Sequence, residues 1–170
     1  VSSANQVLVI TGAAATGKST IGDHLRGRDG LVVLDGDVLG RGAAATAYGR
    51  RDYVAFWRFA LAVCREVRTN GLVPVVPCIC LPEQVLAAVD DEVVHVLALL
   101  SAPATVRRRI AARTGTSGVP SPESHVELDR RLRDVASVPA PHTWTTHDVT
   151  VGDVRSTVAA GVGWALLHSR

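Results

Sequence analysis

The octapeptide Gly12-Ala-Ala-Ala-Thr-Gly17-Lys18-Ser19 sits between an apolar run, Gln6 to Thr11, and a stretch of helical character, Lys18 to Arg26. Its pattern, G-x-x-x-x-G-K-[ST], is one that binds phosphate when a strand precedes it and a helix follows. Glycines at both ends let the backbone turn its N–H groups inward, which makes a nest for an anion. The following helix adds its positive N-terminal end to the same spot. On this reading Gly12, Ala13, Ala14, Ala15, Thr16, Gly17 and Thr20 contribute backbone. Lys18 reaches the β- and γ-phosphates, and the Ser19 hydroxyl ligates Mg²⁺. Lys18 is the only lysine among 18 basic residues, the other 17 being arginine. A chain that has all but abandoned lysine keeps one at the position where this chemistry asks for it.

A second group follows in Leu34-Asp35-Gly36-Asp37, its first acid 17 residues after Lys18. If a strand ends there, both carboxylates face the phosphate turn, because parallel strands present ligand groups at their carboxyl ends. A neutral alcohol is a poor nucleophile, and a carboxylate within hydrogen-bond reach takes its proton and aims it at a phosphoryl group. Asp37 is the expected base and Asp35 the expected partner of substrate or of metal-bound water. Solvated acids on an Asp-Gly turn are the alternative. Farther on, Arg109 and Arg113 lie one helical turn apart on one face. Two planar, bidentate cations suit phosphate clamping and stacking; an exposed basic helix face is the other reading. Arg107, Arg108 and the segment Arg130 to Arg133 are expected at the surface. Between positions 48 and 59 fall both tyrosines, both phenylalanines and one of the three tryptophans. With Arg41, Arg50, Arg51 and Arg58 nearby, Tyr53, Trp57, Arg41 and Arg58 are candidates for holding a flat or anionic acceptor. The helical spacing of Tyr53, Phe56 and Trp57 fits core packing equally well. Cys78 and Cys80 share one face of a strand, and Cys-x-Cys alone reads better as buried thiols than as a metal site.

The elements that must position these residues alternate between apolar runs and helical stretches, the pattern of a parallel sheet. Strands are predicted at Gln6 to Thr11, Leu31 to Asp35, Leu72 to Cys80, Val93 to Leu100 and Pro139 to Thr146. Helices are predicted at Lys18 to Arg26, Asp52 to Thr69, Glu83 to Val89, Ala104 to Arg113, Glu123 to Val135 and Val151 to Leu167. Asn70-Gly71 supplies a stop signal for the long one. Thr114 to Ser124 reads as a loop rich in Gly, Ser and Pro. The expectation is a single α/β domain over 1–170: three layers, with a five-stranded parallel sheet between helices on both faces.

At 170 residues and 17.9 kDa the chain has the size of one domain. Hydrophobic residues make up 47%, which excludes wholesale disorder. Eighteen basic against 16 acidic residues leave +2, which argues against a nucleic-acid-coating protein. No apolar run reaches the ~20 residues of a membrane span, and residues 1–6 lack the features of a signal peptide. Three cysteines in no paired framework fit a reducing cytoplasm. Oligomeric state is not legible.

With the phosphate turn in place, the chain resembles the P-loop NTPase superfamily. A GTPase base reader of the Asn-Lys-x-Asp type would need a second lysine, and neither Val75-Val76-Pro77-Cys78-Ile79-Cys80 nor Leu97-Ala98-Leu99-Leu100-Ser101-Ala102 ends in the acidic pair of motor-type ATPases. LDGD after the second strand is similar to adenylylsulfate kinases and gluconate kinases, and more loosely to chloramphenicol phosphotransferases. The resemblance implies ATP and Mg²⁺, a small lid over residues 109–125 whose Arg109 and Arg113 meet adenine and phosphates, and γ-phosphoryl transfer to a small-molecule hydroxyl. Adenylylsulfate kinases carry Ser-Pro-Tyr-Arg after the third strand, where this chain has Leu81-Pro82-Glu83-Gln84. The gluconate kinase pattern of Lys and Arg is missing there too, which implies a different acceptor: a nucleoside, a sugar or a natural product. The competing reading is an ATPase or switch module that acts with a partner protein.

Overall fold

A computed structural model describes residues 5–42, 45–112 and 121–169, apart from the Tyr48 side chain. Its centre is β1 (Gln6–Gly12), buried along all seven residues. This strand lacks polar alternation because both of its faces are covered. The other strands are β2 (Leu31–Val33), β3 (Val73–Pro77), β4 (Val93–Leu100) and β5 (Thr143–Asp148). They form one sheet in the order β2-β3-β1-β4-β5, every neighbouring pair parallel. The helices are α1 (Lys18–Leu25), α2 (Gly36–Arg41), α3 (Ala45–Gly49), α4 (Tyr53–Thr69), α5 (Pro82–Leu86), α6 (Pro103–Ala111), α7 (Pro122–Arg133) and α8 (Val154–His168).

Alternate residues of β1 feed two cores. Val7 and Val9 join Val76, Val94 and Val96 under α4, which contributes Phe56, Trp57, Ala60, Leu61 and Cys64. Leu8 and Ile10 join Val75, Leu97 and Leu99 under α1 and α8, which contribute Ile21, Leu25, Trp164 and Ala165. The result is the expected three layers, helix, sheet and helix. The helices α1 and α8 touch closely: a Cβ on Gly161 would stand 2.5 Å from Ile21 Cδ1. That contact sets the first turn of α8 over the start of α1.

Boundaries differ from the sequence-based expectation for physical reasons. The strand β2 stops at Val33, because the Asp35 carboxylate accepts from Asp37 N at 2.9 Å and Val38 N at 3.1 Å and so starts α2. Neither α2 nor α3 was expected. The strand β3 ends at Pro77 rather than Cys80, although Cys78 N still reaches Ile10 O at 3.0 Å. Both of its prolines fit the ladder. Val73 and Val75 bond toward β2, so Pro74 faces β1, where pairing begins only at Leu8 with Val75. Pro77 stands past the end of β2. The long helix α4 behaves as read, capped by Asp52 onto Ala55 N at 3.0 Å and closed by Gly71 at φ 72°. The strand β5 lies two to four residues later than predicted. The closing helix α8 begins at Val154, where the Asp153 carboxylate accepts from Ser156 N at 2.7 Å.

One buried group makes stability depend on pH. His95 on β4 is 8% exposed, its ring 4.7 Å from that of His168, with Nδ1 2.8 Å from Thr143 Oγ1. Burial, then the nearby His168 and His142, push its pKa down to about 4. The folded protein therefore resists a proton that the unfolded chain accepts near 6.5. This contribution is fully present above pH 6.5 and is lost as pH falls from about 6.5 to about 4. Denaturant midpoints measured across that window should fall with pH in the native chain, and fall less steeply in His95→Gln.

Candidate active site

The phosphate turn is built on close backbone contact. Gly12 has φ +148°, and a Cβ there would lie 2.5 Å from Leu99 O and 2.8 Å from Thr16 Oγ1. Only glycine fits between the ends of β1 and β4. Ala13 and Ala14 are buried against Val106 and Ile110 of α6, with Val126 of α7 packed on the same cluster. Their small side chains let the loop settle onto that helix pair. Thr16 is 2% exposed and closes the loop on itself through Oγ1 to Ala13 O at 2.9 Å. Gly17, at φ +105°, turns the chain into α1, so the amides at the mouth of the loop continue into the first turn of that helix. Lys18 Nζ donates to Gly12 O at 2.9 Å and Ala13 O at 2.7 Å, which holds the ammonium over the loop mouth. From outside the loop, Ala14 N donates to Nδ1 of His125 on α7 at 3.3 Å.

A cavity of about 550 Å³ opens directly on this turn. Residues 14–20 form its floor. Asp35 and Asp37 line it from the start of α2, Cys78 and Ile79 from the end of β3, and Arg109 from α6. The turn before α8 supplies Gly152 and Asp153, and the first turn of α8 supplies Val154 and Thr157. The cavity thus lies at the carboxyl ends of the strands, where the chain's direction of winding switches across β1. Glycine between the two acids is a steric requirement. A Cβ on Gly36 would lie 2.5 Å from Cys78 Cβ and 2.6 Å from its Sγ. That close approach seats α2 against the end of β3 and brings Asp35 and Asp37 to the cavity wall.

Of the residues singled out in the sequence, Ala14, Ala15, Thr16, Gly17, Lys18, Ser19, Thr20, Asp35, Asp37 and Arg109 all line this one cavity. Gly12 and Ala13 lie beneath it. Arg109 Nη2 donates to Val149 O at 2.9 Å, which ties α6 to the segment after β5. Arg113 lies outside the described residues. Trp57 requires a correction: it is 1% exposed and meets Phe56 edge to face at 5.5 Å inside the core. Its helical spacing served packing, and emptying so large a slot costs about 3–5 kcal/mol. Arg41 and Arg58 are exposed and Tyr53 half-buried, and none of the three lines the cavity. Glu83 pairs with Arg131 at 2.7 Å and the Gln84 side chain accepts from Leu81 N at 2.9 Å, so both are committed away from the site. Burial holds the Cys78 thiol well above its ordinary pKa and pushes Cys80 up to about 12. Both stay protonated near neutral pH and offer no thiolate.

Two features were missed. The Gly152 to Thr157 wall depends on the packing of α8 on α1, which no local motif announces. His125 did carry a signal. His125, Asp129 and Leu132 form one buried stripe on α7, and two of those inward positions are polar. The oxygens of Ser19, Asp35 and Asp37 around one cavity are the hard donors that suit Mg²⁺.

Neither a family model nor a curated protein matches the chain. Solved structures do. A sugar kinase from a Janibacter species superposes with a TM-score of 0.72 at 15% identity, covering 95% of this chain and 94% of that one. The tunicamycin resistance protein of Deinococcus radiodurans gives 0.68 at 13% identity, covering 95% of both chains. A gluconokinase from Sinorhizobium meliloti gives 0.64 at 18% identity, covering 96% and 94%. At these identities the likeness is one of fold. This chain shares the fold of that sugar kinase, that gluconokinase and that tunicamycin resistance protein.

Proposed function

We propose that the protein is an ATP-dependent phosphotransferase that moves the γ-phosphoryl group to a hydroxyl of a small molecule. The observation that supports this most is the meeting of Lys18 and Ser19 with Asp35 and Asp37 on one cavity. The acids stand at the start of α2 and not at the ends of β3 or β4, where a motor-type ATPase would carry its pair, and that placement suits the activation of an alcohol. The triphosphate lies in the amide nest of residues 15–19, with Arg109 at the base side. Ser19 and Asp35 would hold Mg²⁺, which would supply neutralisation of the phosphate charge. Asp37 accepts the acceptor's hydroxyl proton. The freed oxygen forms the new P–O bond in line as the bond to the β-γ bridging oxygen breaks and ADP leaves. Lys18 offsets the charge that gathers on the leaving side.

The acceptor side of the cavity has two carboxylates beside the apolar Ile79 and the protonated Cys78. Among the described residues, the cations that line the cavity are Lys18 and Arg109, both at the nucleotide side. Acids without a facing base disfavour a carboxylate or phosphate on the acceptor. The acceptor is therefore a neutral or amine-bearing alcohol: a nucleoside, a sugar or a hydroxylated natural product.

The test is a transfer assay with γ-labelled ATP against a panel balanced in charge: nucleosides, neutral sugars, aminoglycosides, sugar acids and sugar phosphates. Label should pass to a neutral or cationic member with the native protein and not with Lys18→Ala. A sugar acid as best acceptor would contradict the charge argument, and transfer undiminished in Lys18→Ala would contradict the phosphate site. With the acceptor in hand, Asp37→Asn should lower kcat by about 10²-fold or more, the scale of a lost general base. ATP binding should be largely kept. Unchanged turnover would remove Asp37 from the role of base.

A further inference from the structure

The helix α7 grips the carboxyl edge of the sheet by two buried side chains one turn apart. Asp129, 2% exposed, accepts from Ser101 N at 2.7 Å just past the end of β4 and is held by Arg133 Nε at 2.8 Å. His125, 3% exposed, accepts from Ala14 N in the middle of the phosphate turn. Each hook takes a main-chain N–H just past the end of a strand, β4 for Asp129 and β1 for His125. The Asp129 hook anchors the helix; the His125 hook then fixes the loop against it. A ring nitrogen that accepts carries no proton, so the imidazole stands with Nδ1 bare toward Ala14. Ala14 is 7% exposed, and little water reaches its amide to replace the ring.

Resting on the reading of residues 12–19 as the nucleotide's phosphate site, we propose that His125 is a positioning residue for that loop. It acts through the Ala14 N–H and not through its bulk. With Nδ1 in place, the buried amide is satisfied in the conformation whose remaining N–H groups converge on the cavity. Without it, the loop satisfies Ala14 N by turning outward, and the binding-competent cradle is populated less. Nucleotide affinity falls by the same fraction.

Two substitutions separate acceptor from volume. His125→Phe keeps the ring and loses the acceptor; His125→Asn keeps an acceptor oxygen at a similar reach and loses volume. MgATP titrations on variants that still unfold cooperatively should show Kd about tenfold weaker for His125→Phe, the loss expected for one orphaned buried amide, and near-native for His125→Asn. Native affinity in His125→Phe, or equal weakening in both, would overturn the proposal in favour of packing. A native protein that binds no MgATP would instead overturn the phosphate-site reading on which it rests. Nitrogen-15 spectra of the native histidines give a check that needs no variant. His125 Nδ1 should show the shift of an unprotonated acceptor nitrogen at neutral pH, and a protonated Nδ1 would overturn the assignment.

Discussion

The end of β1 and the end of β4 approach so closely that no side chain fits between them. Gly12 lies against the Leu99 carbonyl, at a φ that L side chains rarely adopt, and Thr16 packs over it. From that contact the chain must turn sharply, and it does so with a loop whose alanines are buried and whose second glycine starts α1. The position of Lys18 follows, because the loop has one closed shape. The cavity follows too, because its floor is the outer face of that turn. A larger residue at Gly12 would push β4 away and open the two cores that β1 feeds.

The remaining walls are set by similar close approaches. Gly36 lies on Cys78 and so brings α2, with its two acids, to the rim. Gly161 lies on Ile21 and so brings the start of α8 over the start of α1. Charge is distributed in keeping with this. At the amino ends of the strands, acids and bases cancel: buried Glu92 meets Arg65 at 2.8 Å and Arg68 at 3.4 Å. At the carboxyl ends, Lys18, Arg109, Asp35 and Asp37 are gathered around an open space. Such gathering stabilises a fold little and is what the proposed transfer from a polyanion to an alcohol would use.

Much of this was legible because its physical requirements are local. Gly12, Gly17, Lys18 and Ser19 announce themselves by spacing alone, and β1 and β4 by largely apolar runs. Asp35 was expected to face the phosphate turn, and it lines the cavity there, yet its capping bonds, and with them α2, went unseen. The same side chain serves as helix cap and wall, and a strand-end acid looks alike in either role. Trp57 shows the opposite failure, since helical spacing of aromatics is identical whether they face a core or a ligand. The wall from Gly152 to Thr157 depends on helix packing between α1 and α8, residues far apart in sequence, and no short pattern encodes it. His125 lay between these cases: an inward polar residue is a local sign, but its partner lies 111 positions away.

The central claim is that the amides around Lys18 hold a triphosphate whose end faces Asp37. A crystal structure with Mg²⁺ and a non-hydrolysable ATP analogue tests it most directly. The β-phosphate should lie within hydrogen-bond reach of the Gly17, Lys18 and Ser19 amides, with the γ-phosphate on the Asp37 side of the cavity. A triphosphate seated elsewhere on the protein, or one whose terminal group points away from both aspartates, would contradict the account.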